Sequence, residues 1–407
     1  MLSNVIKAFK ARLFLVSLLS VSLLFSIAYG STTVKIIDDI GRSVEVKLPV
    51  RRVISIQPSA TEIIFALGAQ KKLVGRTDFC DYPEGVKSIP SIGGLSNPSP
   101  DKIIVSRPQL ILTSTMFPKA MAKPLMRAYP VIVLEPKDLM GVYNNILTLG
   151  RILQKQKEAE DLIASMDALR RPIEAYFQNY LNRPSVLTLV WHNPLITVGP
   201  TSFIASVIEI GGGRNYIQKD IGAYPIISPE SLLLDEPDII LYPTKSMGID
   251  PAFLNQPPFK NLKAVKTGRV FPFDDDLLFR PGPRIIQGML EVSKSIDPSL
   301  KKTSIFALST VKNTLFKDGN IFNLTVNMKN INGRIYVSKE TMDLLIKNIA
   351  REIKVKDQNR GIVIFKDGKS LAINLVGGLF PLRHTLESLG GKIYWNNQYK
   401  EVYMFLK

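Results

Sequence analysis

The chain has one cysteine, Cys80, among 407 residues. That excludes a disulfide framework, and it leaves no lipid-attachment cysteine after the apolar N-terminal segment. Stability must therefore come from packing. Histidine is as scarce: His192 is the only one between residues 31 and 299, and the tail holds no His/Cys cluster, so the tail is not expected to be a metal site. There is also no phosphate loop, no HExxH, no Gly-x-Ser-x-Gly and no cysteine set beside a base, so the chain is not expected to be an enzyme.

What is present begins with Lys7, Lys10 and Arg12, which precede an apolar run from Leu13 to Ile27 ending in Ala28-Tyr29-Gly30. Residues 1–30 read as a Sec signal peptide, with an uncleaved membrane anchor as the other reading. Either way the remainder is exported, to the periplasm or the extracytoplasmic cell surface. An apolar share of 45% with 21% charged residues suits folded protein. The net charge of +17 is unevenly spread: residues 31–299 hold 31 basic and 27 acidic side chains, whereas residues 300–407 hold 18 and 8. Outside the cell nucleic acid is not an expected partner. The basic tail suits anionic cell-wall polymer or membrane headgroups, or is simply a solvated surface.

The most informative pattern is internal. Ser99 to Leu112, SPDKIIVSRPQLIL, recurs without a gap as Ser228 to Leu241, SPESLLLDEPDIIL. In each copy Ser is an N-cap, Pro takes the first helical position and an acid meets the positive end of the helix dipole. An aliphatic run then enters a buried parallel strand. Val53-Ile54-Ser55-Ile56 and Val186 to Trp191 read as further strands, and Ser59-Ala60-Thr61-Glu62 as a capping box. The expected architecture is α/β: two sandwich lobes with mostly parallel sheets, at 31–141 and 182–299. Between them, residues 142–181 carry Ile146, Leu149, Leu153, Leu162, Met166 and Leu169 at helical spacing, with no glycine or proline from Arg151 to Arg171. One helix of ~35 to 40 residues, ~55 Å long, would join the lobes as a stiff hinge that permits only modest closure. Residues 300–310 read as a linker and 311–407 as a small α+β domain, in which strand, helix and hairpin occur twice.

Val53 to Glu62, Gly75 to Pro83, Gly93-Gly94, Gly268 to Phe271 and Arg280 to Ile285 resemble cobalamin-binding receptors of the BtuF type, in the helical-backbone metal-receptor superfamily. The tail, through Gly378 to Trp395, resembles the copper amine oxidase N-terminal-like, or stalk, domain. The resemblance implies a monomeric extracytoplasmic solute-binding protein that captures cobalamin or another corrinoid and delivers it to the permease of an ABC importer. Haem and ferric-siderophore receptors share the superfamily, and a surface-adhesion protein is a third reading.

A flat, amide-fringed ring needs aromatic and aliphatic faces with a few polar groups in a cleft. The resemblance places Phe79 and Trp191 at aromatic contact positions, Asp276 and Arg280 at polar ones, and Leu95 where the family can show an aromatic. For the two aromatics a place in the core is the other reading, and for Tyr82 packing in its turn stands beside ligand contact. Arg280 can pair with the Asp274-Asp275-Asp276 run instead of ligand. His192 is either an axial ligand for cobalt or haem iron or a hydrogen-bonded loop residue. Asp101 and Glu230, equivalent in the repeat, fall where family acids dock onto permease arginines; as helix-dipole partners alone each contributes ~0.3 to 1 kcal/mol.

Overall fold

The structure, a computed structural model, describes residues 32–245, 247–309, 314–318, 320–322, 328–331, 334–349, 354–358, 361–366, 369–374, 379–388, 390–396 and 401–406. The expected signal peptide lies outside them. In the first lobe a hairpin of β1 (Thr32–Ile37) and β2 (Ser43–Leu48) precedes β3 (Val53–Ser55), β4 (Leu73–Arg76), β5 (Leu110–Thr113) and β6 (Val131–Val133). The last four form an all-parallel sheet in the order β4-β3-β5-β6. Both faces are covered, which is why these strands are aliphatic runs without alternation. Val53, Leu110 and Ile132 enter the main core, whereas Ile54, Ile111 and Val131 enter a second cluster.

Helix α1 (Pro58–Ala66) has proline in its first turn, and Gly68, at φ +66°, follows its end. The expected capping box is not formed. Gln57 takes the N-cap place without a side-chain bond, and Ser59 and Glu62 are buried inside the helix. In α2 (Pro100–Val105) the Ser99 hydroxyl accepts from the Lys102 amide, as the repeat implies. Helix α3 (Lys119–Ala128) joins β5 to β6.

The single helix expected over 142–181 is two helices. Helix α4 (Leu139–Ile152) ends before Gln154, which adopts a left-handed φ of +58°, and α5 (Gln156–Phe177) then runs back along it. The break needs neither glycine nor proline. Close contact makes the hairpin: a Cβ on Gly150 would lie 2.6 Å from the Ala159 methyl, and Tyr143 of α4 donates to Asp167 of α5 at 2.8 Å. Conversely, Pro172 sits within α5 without ending it. At 22 residues the connecting helix is roughly 33 Å long.

The second lobe holds β7 (Ser185–His192), β8 (Leu195–Thr197), β9 (Arg214–Asn215), β10 (Ile239–Pro243) and β11 (Val270–Phe273) in a separate sheet, ordered β11-β10-β7-β8 with β9 beside β7. Only the β7–β8 pairing is antiparallel. Ser228 begins the second repeat copy as expected, but Pro229–Leu233 closes as a 3-10 turn. Val186, Ile239 and Leu241 pack with α6 (Phe203–Ile210) and α7 (Ile285–Ile296) in the main core, while Leu187 and Ile240 face Phe259 and Leu262.

Beyond it, the expected linker over 300–310 is largely strand. Its β12 (Ser304–Ser309) is followed by β13 (Thr314–Lys317), β14 (Asn320–Phe322), β15 (Met328–Ile331), β16 (Arg334–Val337), α8 (Lys339–Ile349), β17 (Lys354–Gln358), β18 (Gly361–Lys366), β19 (Lys369–Asn374), β20 (Phe380–Pro381), α9 (Leu382–Ser388), β21 (Lys392–Asn396) and β22 (Glu401–Leu406). The strands of both expected hairpins pair, with Val355 opposite Ile364 and Trp395 opposite Val402, while the turn expected over Asn396-Asn397-Gln398 lies largely outside the described residues. Pairing of β12 with β22 closes the domain, and Ile305, Tyr403 and Phe405 join the same apolar core as α4, α5 and both lobes.

Candidate ligand cleft

In open parallel sheets the loops beyond the carboxyl ends of the strands form the binding edge. Here β4 leads to Phe79 and Tyr82, β5 to Met116 and β6 to Glu135, while in the second lobe β7 ends at Trp191 and His192, β10 leads to Met247 and β11 to Asp274. Large apolar side chains stay exposed along these loops: Phe79 (55%), Tyr82 (44%), Trp191 (37%) and Met116, with Tyr224, Ile226 and Met247 from the second lobe. Burial and the Glu135 carboxylate of the other lobe push the Tyr224 phenol up to about 12, although 46% of the residue is accessible.

An ionic cluster ties the lobes together. Arg284 makes a bidentate pair with Glu62 at 2.6 and 2.9 Å, and its guanidinium carbon lies 3.8 Å from the Tyr82 ring centre. Arg280 reaches Asp81 at 2.6 Å and Asp276 at 2.7 Å, and lies 3.6 Å from Glu62. Lys245 adds a contact to Asp276 at 2.9 Å. Glu62, Asp81 and Tyr82 come from the first lobe; the cations come from the second. Side-chain exposure is 12% for both arginines and 3% for Glu62, so burial opposes the charges while the carboxylates hold both guanidinium groups more basic than usual. The lobes also touch directly, since a Cβ on Gly282 would lie 3.5 Å from Ser59.

The run of three aspartates does not repel itself, because each carboxylate has its own task. Asp274 accepts from the Asp276 amide and so caps a short helix, Asp275 accepts from the amides of Lys245 and Met247, and Asp276 meets Arg280 and Lys245. Of the residues singled out by sequence, Tyr82, Asp276 and Arg280 are therefore brought together. Trp191 and His192 form a second group: the indole N–H donates to the Asn193 carbonyl, and the imidazole stacks on Phe253 with ring centres 5.3 Å apart. Leu95 is half-buried against the Ile54 and Ile92 cluster, packing inward. Asp101 and Glu230 are exposed at equivalent repeat positions, and hydrogen bonds from Ser228 and the backbone hold the Glu230 carboxyl below its ordinary range.

Asp81, Lys245 and Tyr224 carry no local sequence signal that points to this site. Glu62 carried only its helical context, and its partner Arg284 lies on the other lobe. Cys80 is fully buried, and burial pushes its thiol up, which suits an inert core residue. Among the described residues no group of three His, Cys, Asp or Glu side chains is placed to hold a metal ion. No described helix is long and apolar enough to cross a membrane.

Comparison with known proteins agrees with this architecture. An uncharacterized ABC transporter substrate-binding lipoprotein, YvrC of Bacillus subtilis, is 29% identical over 277 residues, which is 66% of this chain and 87% of that protein. The vitamin B12-binding protein of Vibrio campbellii is 25% identical over 261 residues, 62% of this chain and 92% of its own. Among solved structures, the periplasmic heme-binding protein RhuT of Roseiflexus has a TM-score of 0.55 at 24% identity, matching 61% of this chain and 99% of that one. BtuF of Vibrio cholerae has 0.53 at 24%, with 62% and 99% covered. These two likenesses bear on fold. The periplasmic binding protein family matches residues 53–277, more than half of the chain and the stretch that holds both sheets, and the chain belongs to that family.

Proposed function

We propose that this protein is the extracytoplasmic receptor of an ABC importer and that its cargo is cobalamin or a related corrinoid. The observation that carries the choice of cargo is the engagement of the arginines. An anionic siderophore or the propionates of haem call for free guanidinium groups. Arg280 and Arg284 already face Glu62, Asp81 and Asp276, and Arg76 is bound to the carbonyls of Thr77 and Val86. An amide-fringed corrinoid needs no such charge, and Phe79 and Trp191 supply exposed aromatic faces for its ring.

His192 favours the same reading. Its Nδ1 is buried and meets no hydrogen-bond partner among the described residues. A metal-ligating histidine normally donates its second N–H to an acceptor, and no described residue accepts from Nδ1 here. Cobalamin carries its own lower base and asks for none. Quenching of Trp191 fluorescence by cyanocobalamin or cobinamide, saturating at one ligand per chain, tests the proposal. Quenching by haem alone would refute it.

Asp101 and Glu230 are the docking acids for permease arginines in this reading, supported by their equivalent, exposed positions in the repeat. Charge reversal at both should leave corrinoid affinity intact and abolish stimulation of the importer; unchanged stimulation would overturn the assignment. Export through residues 1–30 fits the lysines and arginine ahead of the apolar run. The tail is assigned to the copper amine oxidase N-terminal-like class on its resemblance through Gly378 to Trp395, with anionic surface contact as the role its charge suits.

A further inference from the structure

Helix α5 is covered on two sides. One side packs into the receptor, and against the other lie strands of the C-terminal domain, so that Tyr403 and Phe405 share a core with Ile173 and Phe177. Two polar nodes cross this contact. At the first, Arg171 bonds Glu401 of β22 at 3.1 Å and Asp167 at 2.6 Å, and Asp167 in turn accepts from Tyr143 of α4. At the second, the Tyr176 hydroxyl donates to Asp297, beyond the end of α7, at 2.7 Å and accepts from Lys392 of β21 at 3.0 Å. The Tyr176 ring also packs against Phe405 at 4.8 Å and Tyr394 at 6.3 Å.

The two nodes have a common logic. Helix α4 closes the first lobe and α7 closes the second, so each node links one lobe, the connecting helix and the C-terminal domain. Neighbouring strands of one sheet hold both. Lobes joined by a single helix change their angle by bending or rolling that helix, and either motion must break contacts at Arg171 or Tyr176. Arg171 and Glu401 are well shielded, with side-chain exposures of 19% and 15%, so water replaces those contacts poorly.

We propose that the C-terminal domain clamps the connecting helix and thereby fixes the angle between the receptor lobes, with Arg171 and Tyr176 as positioning residues for capture and release of ligand. The consequence for release rests on the cargo assignment; the consequence for lobe geometry does not. A pendant spacer would leave both unchanged.

The test uses the full chain carrying Glu401→Gln with Lys392→Gln, which removes the charge from each domain-side partner while leaving the receptor residues in place. Spin labels at Lys71→Cys and Lys266→Cys, exposed sites in opposite lobes, report the interlobe distance; Cys80 is buried and should not take label. The clamp predicts a broader distance distribution in the ligand-free variant and release of cyanocobalamin accelerated by about tenfold. Arg383→Gln, exposed on α9, should change neither. An unaltered distance distribution would overturn the clamp, whereas a failure of any corrinoid to bind, with the distribution still broadened, would overturn the cargo and spare the clamp. Should the variant not fold, hydrogen exchange on the native chain decides: α5 and β22 must open as one unit, and independent opening overturns the proposal.

Discussion

Replacing Glu62 by glutamine keeps the shape of α1 and removes one charge from the seam between the lobes. Glu62 accepts both bonds of Arg284 and lies 3.6 Å from Arg280, with its side chain 3% exposed. Breaking a fully buried ion pair costs about 3–5 kcal/mol. Here the loss is smaller, because Arg284 keeps the Tyr82 ring, Arg280 keeps Asp81 and Asp276, and glutamine still offers one acceptor. About 1–3 kcal/mol is expected, read as a lower urea midpoint of the full chain by circular dichroism. The same substitution partly frees a guanidinium in the cleft, so the variant should bind an anionic ferric chelate more tightly than the native chain does. A loss below about 0.5 kcal/mol with no gain in anion binding would refute both the seam and the charge argument built on it.

Two further outcomes follow from local geometry. Gly212 has φ +99°, and a Cβ there would lie 2.4 Å from the Phe177 ring, so Gly212→Ala should destabilise the chain by roughly 2–4 kcal/mol; an unchanged urea midpoint would contradict this. At Asp297 burial opposes ionisation, but bonds from Tyr176, Ser299 and Tyr180 outweigh it and hold the carboxyl at about 2, below the ordinary 3.8. A value depressed by folding stabilises the protein above pH 3.8 and is lost as the pH falls towards about 2. Asp297→Asn should therefore flatten the acid limb of stability, measured as unfolding midpoints across that range; an acid limb as steep as the native one would argue against it.

Local chemistry was the legible part. Serine, proline and an acid in both repeat copies led to the observed N-caps at Ser99 and Ser228, and the aliphatic runs behind them to β5 and β10, because those signals act within a few residues. The hairpin of β21 and β22 was legible for the same reason. Distant partners were not. Ser304–Ser309 read as linker because its pairing strand, β22, comes at the far end of the chain. Glu62 read as a capping acid because nothing near it announces Arg284. The break at Gln154 is not legible in the sequence because helix propensity is intact on both sides, and the turn is set by Gly150 packing on Ala159.

Whether a neutral, flat guest is held between the two strand-end rims is decided by equilibrium dialysis of the full chain against cyanocobalamin, haem and a ferric hydroxamate in parallel. One cyanocobalamin is expected per chain, bound more weakly after Phe79→Ala or Trp191→Ala, with no tight uptake of either iron compound. Retention of haem or the hydroxamate while every corrinoid passes freely would contradict it.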